Sequence, residues 1–250
     1  MLADDFQRAM RLHQEGQLRD AEIGYRYCLE QDPDHADAMH FLGVIAHQFD
    51  HHSDAIELIG RAIAMNPACG TYHSNLSEAH RPRGNAEQAV ACCHDALAIE
   101  PDYLAALNNL GLALMRLGSL GEAESVLRRA LELNFDFAAA CSSLGHALRE
   151  QGRTKEAIEV YRQAVNTNPE SAEAHNNLGQ LLLEEREIDE AFTHCREAVR
   201  LQPDLAEGQS NLGNVLREQG QLENAKVCYR EALRRTPRIG MVYNNMAQAL

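Results

Sequence analysis

Residues 206–239 read AEGQSNLGNVLREQGQLENAKVCYREALRRTPRI, and this pattern returns along the chain every 34 residues. Within it, Leu212, Val215 and Leu216 share one face at helical spacing, and Leu222, Ala225, Val227, Tyr229, Ala232 and Leu233 form a second apolar run. These are two amphipathic helices, with Gly220 between them where a left-handed residue ends the first. Neither helix can bury its apolar face alone, so a period of this length predicts a stack of helix pairs sharing one continuous core.

Six of the seven prolines (Pro33, Pro67, Pro101, Pro169, Pro203 and Pro237) lie on the same grid, and Phe135 takes the vacant node. Alanine recurs at 21, 55, 89, 123, 157, 191 and 225, and a second small-residue column runs through Cys28, Ala62, Ala96, Ala130, Ala164, Ala198 and Ala232. The Leu-Gly pair of Leu212-Gly213 returns at Leu42, Leu110, Leu144 and Leu178, and relaxes to Leu76-Ser77 and Met246-Ala247. Large residues at Tyr25, Ile59, Leu127, Tyr161 and Tyr229 fill the core. The expected architecture is all-α: a right-handed α-solenoid, or superhelix, of tandem antiparallel helix pairs, forming one domain over 1–250. Its units are 2–35, 36–69, 70–103, 104–137, 138–171, 172–205 and 206–239, with a partial eighth at 240–250.

Local signals refine this. Gly16, Gly84, Gly118 and Gly152 match Gly220, whereas Asp50 and Arg186 stand at the same turn and should make it less favourable. Acids cluster where second helices begin (Asp20, Asp54, Glu122, Glu156, Glu190), suiting the positive end of the helix dipole. Asp32-Pro33, Asn66-Pro67, Asn168-Pro169 and Thr236-Pro237 read as N-cap residues followed by proline at the first helical position. Pro82 should shorten or kink the helix it ends. Phe135 should leave a helix start, with its ring packed between neighbouring repeats.

The 34-residue helix-turn-helix with Leu-Gly, Tyr, two spaced Ala and Pro resembles the tetratricopeptide repeat over essentially the whole chain. More narrowly, His175-Asn-Asn-Leu-Gly179, Ser210-Asn-Leu-Gly213 and Leu216-Arg-Glu-Gln-Gly220 resemble the arrays that precede the catalytic part of O-linked N-acetylglucosamine transferases, bacterial relatives and SPINDLY-like proteins. The resemblance implies that first helices line an inner, concave surface. Just before the recurring Leu stand Asn75, Asn109, Asn177, Asn211 and Asn245, with Ser143 interrupting. Asn is a weak helix former, and a primary amide offers the donor and acceptor that an extended peptide backbone needs. The row, with Arg149 and Arg217, is therefore the candidate peptide site; the alternative is that the amides bridge adjacent helices or hydrate the groove. Towards the N-terminus, Phe6, His40, Phe41 and His47 form a candidate anchor for an apolar or aromatic group.

Composition narrows the partners. With 23 basic and 37 acidic residues the net charge is −14, which disfavours nucleic acid and anionic membranes. No segment approaches a membrane helix and the N-terminus lacks a secretory signal, so the chain reads as cytoplasmic. Seven cysteines, four of them in packing columns, suit a reducing compartment. Consecutive Cys92 and Cys93 cannot converge on one ion, and His47, His51 and His52 offer no fixed ligand set, so no metal, cofactor or catalytic residue is expected. Lysines capable of gripping a C-terminal carboxylate are missing from the inner positions, since Lys155 and Lys226 flank second helices. The functional expectation is a non-enzymatic scaffold binding a protein or peptide. The alternatives are the recognition segment of a larger protein O-glycosyltransferase whose catalytic part lies outside these residues, and a self-associating homo-oligomer pairing through the end around Tyr243, Met246 and Leu250.

Overall fold

A computed structural model describes residues 2–236. Fourteen α-helices and no strand occur among them. They fall into two compact units, the first ending at Leu133 and the second beginning at Asn134. The first holds α1 (Leu2–Gln14), α2 (Leu18–Gln31), α3 (Ala36–Gln48), α4 (His52–Met65), α5 (Gly70–His80), α6 (Ala86–Ile99), α7 (Leu104–Arg116) and α8 (Leu120–Leu133). The second holds α9 (Ala138–Glu150), α10 (Thr154–Thr167), α11 (Ala172–Glu184), α12 (Ile188–Leu201), α13 (Ala206–Glu218) and α14 (Leu222–Arg235).

Within each unit every helix packs on the next, and first helices of successive pairs also touch: α3 with α5 and α5 with α7, then α9 with α11 and α11 with α13. The small-residue columns make this close approach. Ala21, Ala55, Ala89 and Ala123 are fully buried in the first unit, as are Ala157, Ala191 and Ala225 in the second. The glycine after the recurring Leu is required by contact: a Cβ on Gly145 would stand 2.3 Å from the Tyr161 ring, and one on Gly111 2.6 Å from Leu127. In return, Tyr161 and Leu127 fill the space between the helices and are 2% and 0% exposed.

The turns inside the pairs follow the sequence. Gly16, Gly84, Gly118, Gly152 and Gly220 are left-handed, and Asp50 and Arg186 adopt the same region at φ 62° and 67°. At Arg186 the closing bond, Glu187 N to Leu182 O at 2.9 Å, is retained, so the side chain is held where glycine is favoured. Arg186→Gly should therefore stabilise the second unit by roughly 0.5–1 kcal/mol. Its ion pair with Glu218 offers little compensation, the arginine side chain being 75% exposed. A urea midpoint that moves down instead of up would refute this.

The turns between pairs differ from expectation. Pro33, Pro67, Pro101, Pro169 and Pro203 do not open helices. Asp32, Asn66, Asn168 and Thr236 are the non-helical C-caps of the preceding helices, each backbone N–H closing on the carbonyl four residues back. Proline disfavours the helical region for the residue before it, and the free side chain then folds onto the turn: Asp34 N donates to Asp32 Oδ1 at 3.2 Å and Glu170 N to Asn168 Oδ1 at 3.2 Å. N-capping passes to His35 and Ser171, which accept from Ala38 N and Ala174 N. At Pro82 the first helix does shorten, with α5 ending at His80 and a 3-10 turn over Arg81–Arg83. Phe135 leaves a helix start at Ala138, but its ring is 62% exposed rather than packed.

Candidate functional site

Because first helices of neighbouring pairs touch, their polar columns meet. Four asparagines use this contact in one geometry, each reaching back 35 residues. Asn75 Nδ2 lies 2.9 Å from His40 Nε2, and Asn109 Nδ2 donates to Ser74 Oγ at 3.2 Å. In the second unit Asn177 Nδ2 donates to Ser142 Oγ at 3.3 Å and Asn211 Nδ2 to Asn176 Oδ1 at 2.9 Å. Asn109 also reaches Glu78 Oε1 at 2.9 Å. Asn109, Asn177 and Asn211 are only 4–8% exposed, while Asn75 is half-buried. The amides thus bridge successive first helices, with Asn75, Asn177 and Asn211 each giving one Nδ2 hydrogen to the repeat packing and Asn109 giving both. Asn245 lies outside the described residues, as do Pro237, Tyr243, Met246 and Leu250.

The acceptor column, formed by His40, Ser74, Ser142 and Asn176, was not singled out from the sequence. Its signal is the polar residue that stands directly before Asn75, Asn177 and Asn211 in Ser74-Asn75, Asn176-Asn177 and Ser210-Asn211.

The two arginines expected beside the row are already engaged. Arg149 pairs with Glu184 at 2.7 Å and Arg217 with Glu218 at 3.2 Å. Both pairs sit at the surface, so they screen charge more than they stabilise. A shallow cleft beside Asn177 is bounded by Phe135, Cys141, Ser142, Tyr161 and Glu173.

The N-terminal patch is packed more deeply than its composition implies. Phe6 is 8% exposed, with its ring 4.8 Å from His35 and 5.8 Å from Tyr25. His40 is 1% exposed, stacked on Tyr72 at 4.4 Å. Of the four proposed anchors only Phe41 and His47 keep partial exposure, and Phe41 stacks on Tyr25 at 5.6 Å. Phe6 and His40 are therefore corrected from surface anchors to core residues, because ring-on-ring contacts bury them. Burial pushes the His40 imidazole down to about 4. Its Nδ1 is the one buried side-chain polar atom without a hydrogen-bond partner among the described residues.

No group of three or more metal-ligating side chains occurs among the described residues. Burial pushes the thiols of Cys92 and Cys93 up to about 11, which leaves them protonated and unreactive at neutral pH.

Models of the tetratricopeptide repeat match residues 50–103, 83–144 and 170–238, and a TPR-repeat model matches 145–185. No curated protein matches the chain. Among solved structures it is similar to a tetratricopeptide repeat protein from Parabacteroides merdae at 16% identity and TM-score 0.76, over 99% of this chain and 98% of that one. The Cut9-Hcn1 hetero-tetramer of APC/C gives 18% identity and TM-score 0.79, over 97% of this chain and 48% of that one. YrrB, described as a TPR protein with an unusual peptide-binding site, gives 21% identity and TM-score 0.53, over 77% and 98%.

Proposed function

Because the chain is a tetratricopeptide-repeat array, we propose that it is a protein-interaction scaffold holding an extended polypeptide against its first helices. Tetratricopeptide-repeat proteins are generally protein-interaction scaffolds. The observation that carries the finer reading is the amide ladder itself. A row of side chains returning at one register, on the side where first helices touch, offers donors and acceptors at regular intervals. Asn75, Asn177 and Asn211 each spend one Nδ2 hydrogen on the preceding repeat and retain a second, whereas Asn109 gives both to Ser74 and Glu78 and offers its Oδ1 as an acceptor. First helices about 10 Å apart would place one amide at roughly every third residue of an extended chain. In the second unit Arg149 and Arg217 are the charged candidates beside its asparagines, and in the first unit Phe41 and His47 keep partial exposure.

The ladder has a structural role as well, so the test separates the two. Asn177→Ala with Asn211→Ala leaves Ser142 and Asn176 without their donors, at a cost of about 1–3 kcal/mol for each. Melting should fall for that reason alone. Affinity for an extended peptide that contacts the second unit, measured by fluorescence anisotropy well below the melting point, should fall at least tenfold if the amides also grip backbone. Unchanged affinity in a folded variant removes the amides from the site.

A second reading, the recognition segment of a larger protein O-glycosyltransferase, rests on the strings at His175–Gly179 and Ser210–Gly213. Detection of that activity in the natural protein would decide it. Self-association through Tyr243, Met246 and Leu250 concerns residues outside those described. No helix of the described residues is long and apolar enough to cross a membrane. All seven cysteines are free, which supports placement in a reducing compartment, the cytoplasm.

A further inference from the structure

The repeat leaves one of its own spaces open in the second unit. In three repeats the backbone carbonyl at the proline node is met by a long polar side chain six residues on. His175 Nε2 lies 3.1 Å from Pro169 O, Gln209 Nε2 donates to Pro203 O at 3.4 Å, and in the first unit His73 Nε2 stands 3.1 Å from Pro67 O. At the node held by Phe135 the matching residue is Cys141, whose thiol comes only within 4.0 Å of the Phe135 carbonyl. Cysteine is shorter than histidine or glutamine, and the space it leaves is the cleft beside Asn177, walled by Cys141, Tyr161 and Ala164. Ala164 is partly exposed there, whereas Ala198 and Ala232 of the same column are fully buried.

The rim of this cleft also departs from its equivalents. Phe135 replaces proline, and its ring is 62% exposed, more than any other phenylalanine or tyrosine among the described residues. Asp136 and Glu173 line the same cleft, and neither enters an ion pair among the described residues. One repeat earlier Asp102 pairs with Arg129 at 3.1 Å, and one repeat later Glu170 approaches Arg200 at 4.0 Å. In the register of Arg129 this repeat carries Gln163. Asn177, 8% exposed, completes the lining, and its Oδ1 accepts from no group among the described residues.

An exposed phenyl face, two carboxylates without cations and an amide oxygen without a donor all lack the same thing, a positively charged hydrogen-bond donor. The space at the floor measures about 20 Å³, enough for a group of methylene size but not for a charged head. We propose that the cleft receives an arginine side chain of the bound polypeptide, its methylenes on Cys141 and Ala164 and its guanidinium at the rim with Phe135, Asp136 and Glu173. This rests on the reading that a polypeptide lies along the first helices, and names a residue which that polypeptide carries. A guanidinium is planar, so it stacks on an aromatic face while its edge donates to carboxylate and amide oxygens. An ammonium is a compact, strongly hydrated point charge and matches only part of this set. A leucine of the partner would cover the ring and leave the three oxygen acceptors facing carbon.

The test has two arms, both on the full chain. In the first, Nα-acetyl-arginine methylamide is titrated and backbone amide shifts are followed by NMR. Shifts should concentrate on Phe135, Asp136, Cys141 and Glu173, and the uncharged citrulline analogue should bind at least fivefold more weakly. Asp136→Asn with Glu173→Gln should weaken arginine binding at least fivefold, as should Phe135→Pro, which restores the residue of the other nodes. Glu170→Gln with Glu207→Gln removes the same charge one repeat on, where Pro169 and His175 replace Phe135 and Cys141, and should change affinity less than twofold. Equal losses in the two double variants overturn the proposal, because the general acidity of the chain then explains the binding. Equal binding of the citrulline analogue overturns it as well.

In the second arm a random twelve-residue display library is selected on the parent and on Asp136→Asn with Glu173→Gln. Arginine should be enriched at one position with the parent and not with the variant. Peptides selected without that enrichment, or with lysine enriched equally, overturn the assignment and leave the groove reading intact. If the parent selects no peptide while the arginine derivative still moves the cleft residues, the groove reading falls and the cleft stands as an arginine site.

Discussion

Replacing Gly179 with leucine should lower the melting point by roughly 10 °C. A Cβ at this position would stand 2.5 Å from Cys195 Sγ, 3.1 Å from Cys195 N and 3.3 Å from Ala191 O. The first of these neighbours is a side-chain atom that can rotate aside; the other two belong to the backbone of α12 and cannot. Leucine therefore has to push α11 and α12 apart. Overpacking of this kind costs about 3 kcal/mol, and each kcal/mol moves the melting point of a chain this size by about 2–4 °C. Gly179→Ala should cost less. Adding Cys195→Ala to Gly179→Ala should recover part of the loss, because it removes the nearest atom, and a double-mutant cycle measures that coupling. Additive effects would show that Cys195 is not what the added methyl meets.

Acid should destabilise the first unit through His40. The ring is 1% exposed and stacked on Tyr72, and burial pushes it from 6.5 down to about 4. Asp37 pulls in the opposite direction and His13 adds to the fall, but desolvation dominates. Between these two values the unfolded chain binds a proton that the folded chain refuses. Stability is therefore complete above about 6.5, declines as the pH falls, and levels off below about 4. The gap corresponds to about 3 kcal/mol. The hydrogen bond gives the same direction. An Asn75 amide donating to His40 Nε2 places the proton on Nδ1, and a second proton on Nε2 would set donor against donor. His40→Phe keeps an aromatic ring against Tyr72 and removes the titration. Burial also lowers His13, His47, His80 and His194, so the variant should retain an acid transition with the His40 share missing. Identical pH profiles for parent and variant, by urea denaturation from pH 7.5 to 4.5, would rule this assignment out.

The features legible in the sequence were those fixed by local chemistry. Alternating apolar faces gave the helix pairs, the small-residue columns gave the close packing, and the positions of Asp50 and Arg186 gave two left-handed residues. Pro82 announced the short α5. The errors came where one residue has two uses. Asn168 can cap a following helix or end the preceding one, and the proline after it decides for the second. Phe135 reads as a core ring, yet whether the ring turns inward depends on space that no repeat column describes. The asparagine row was visible as a row, but its direction was not, because the partner of Asn177 is Ser142, one helix pair away. His40 reads as an aromatic surface residue, yet Tyr72 of the next first helix lies on its ring. His194 belongs to no motif, and it meets His175, 19 residues away, only when α11 folds against α12.

The constant backward reach of the asparagine ladder also determines how such a chain can change length. Excising residues 172–205 would bring Asn211 to the place that Asn177 held, opposite Ser142, with its donor and acceptor intact. Removing a number that is not a whole period would leave amides facing apolar side chains. Gene duplication and loss are thereby confined to whole-repeat steps, and the ladder works as a counting rule that each generation of the array inherits.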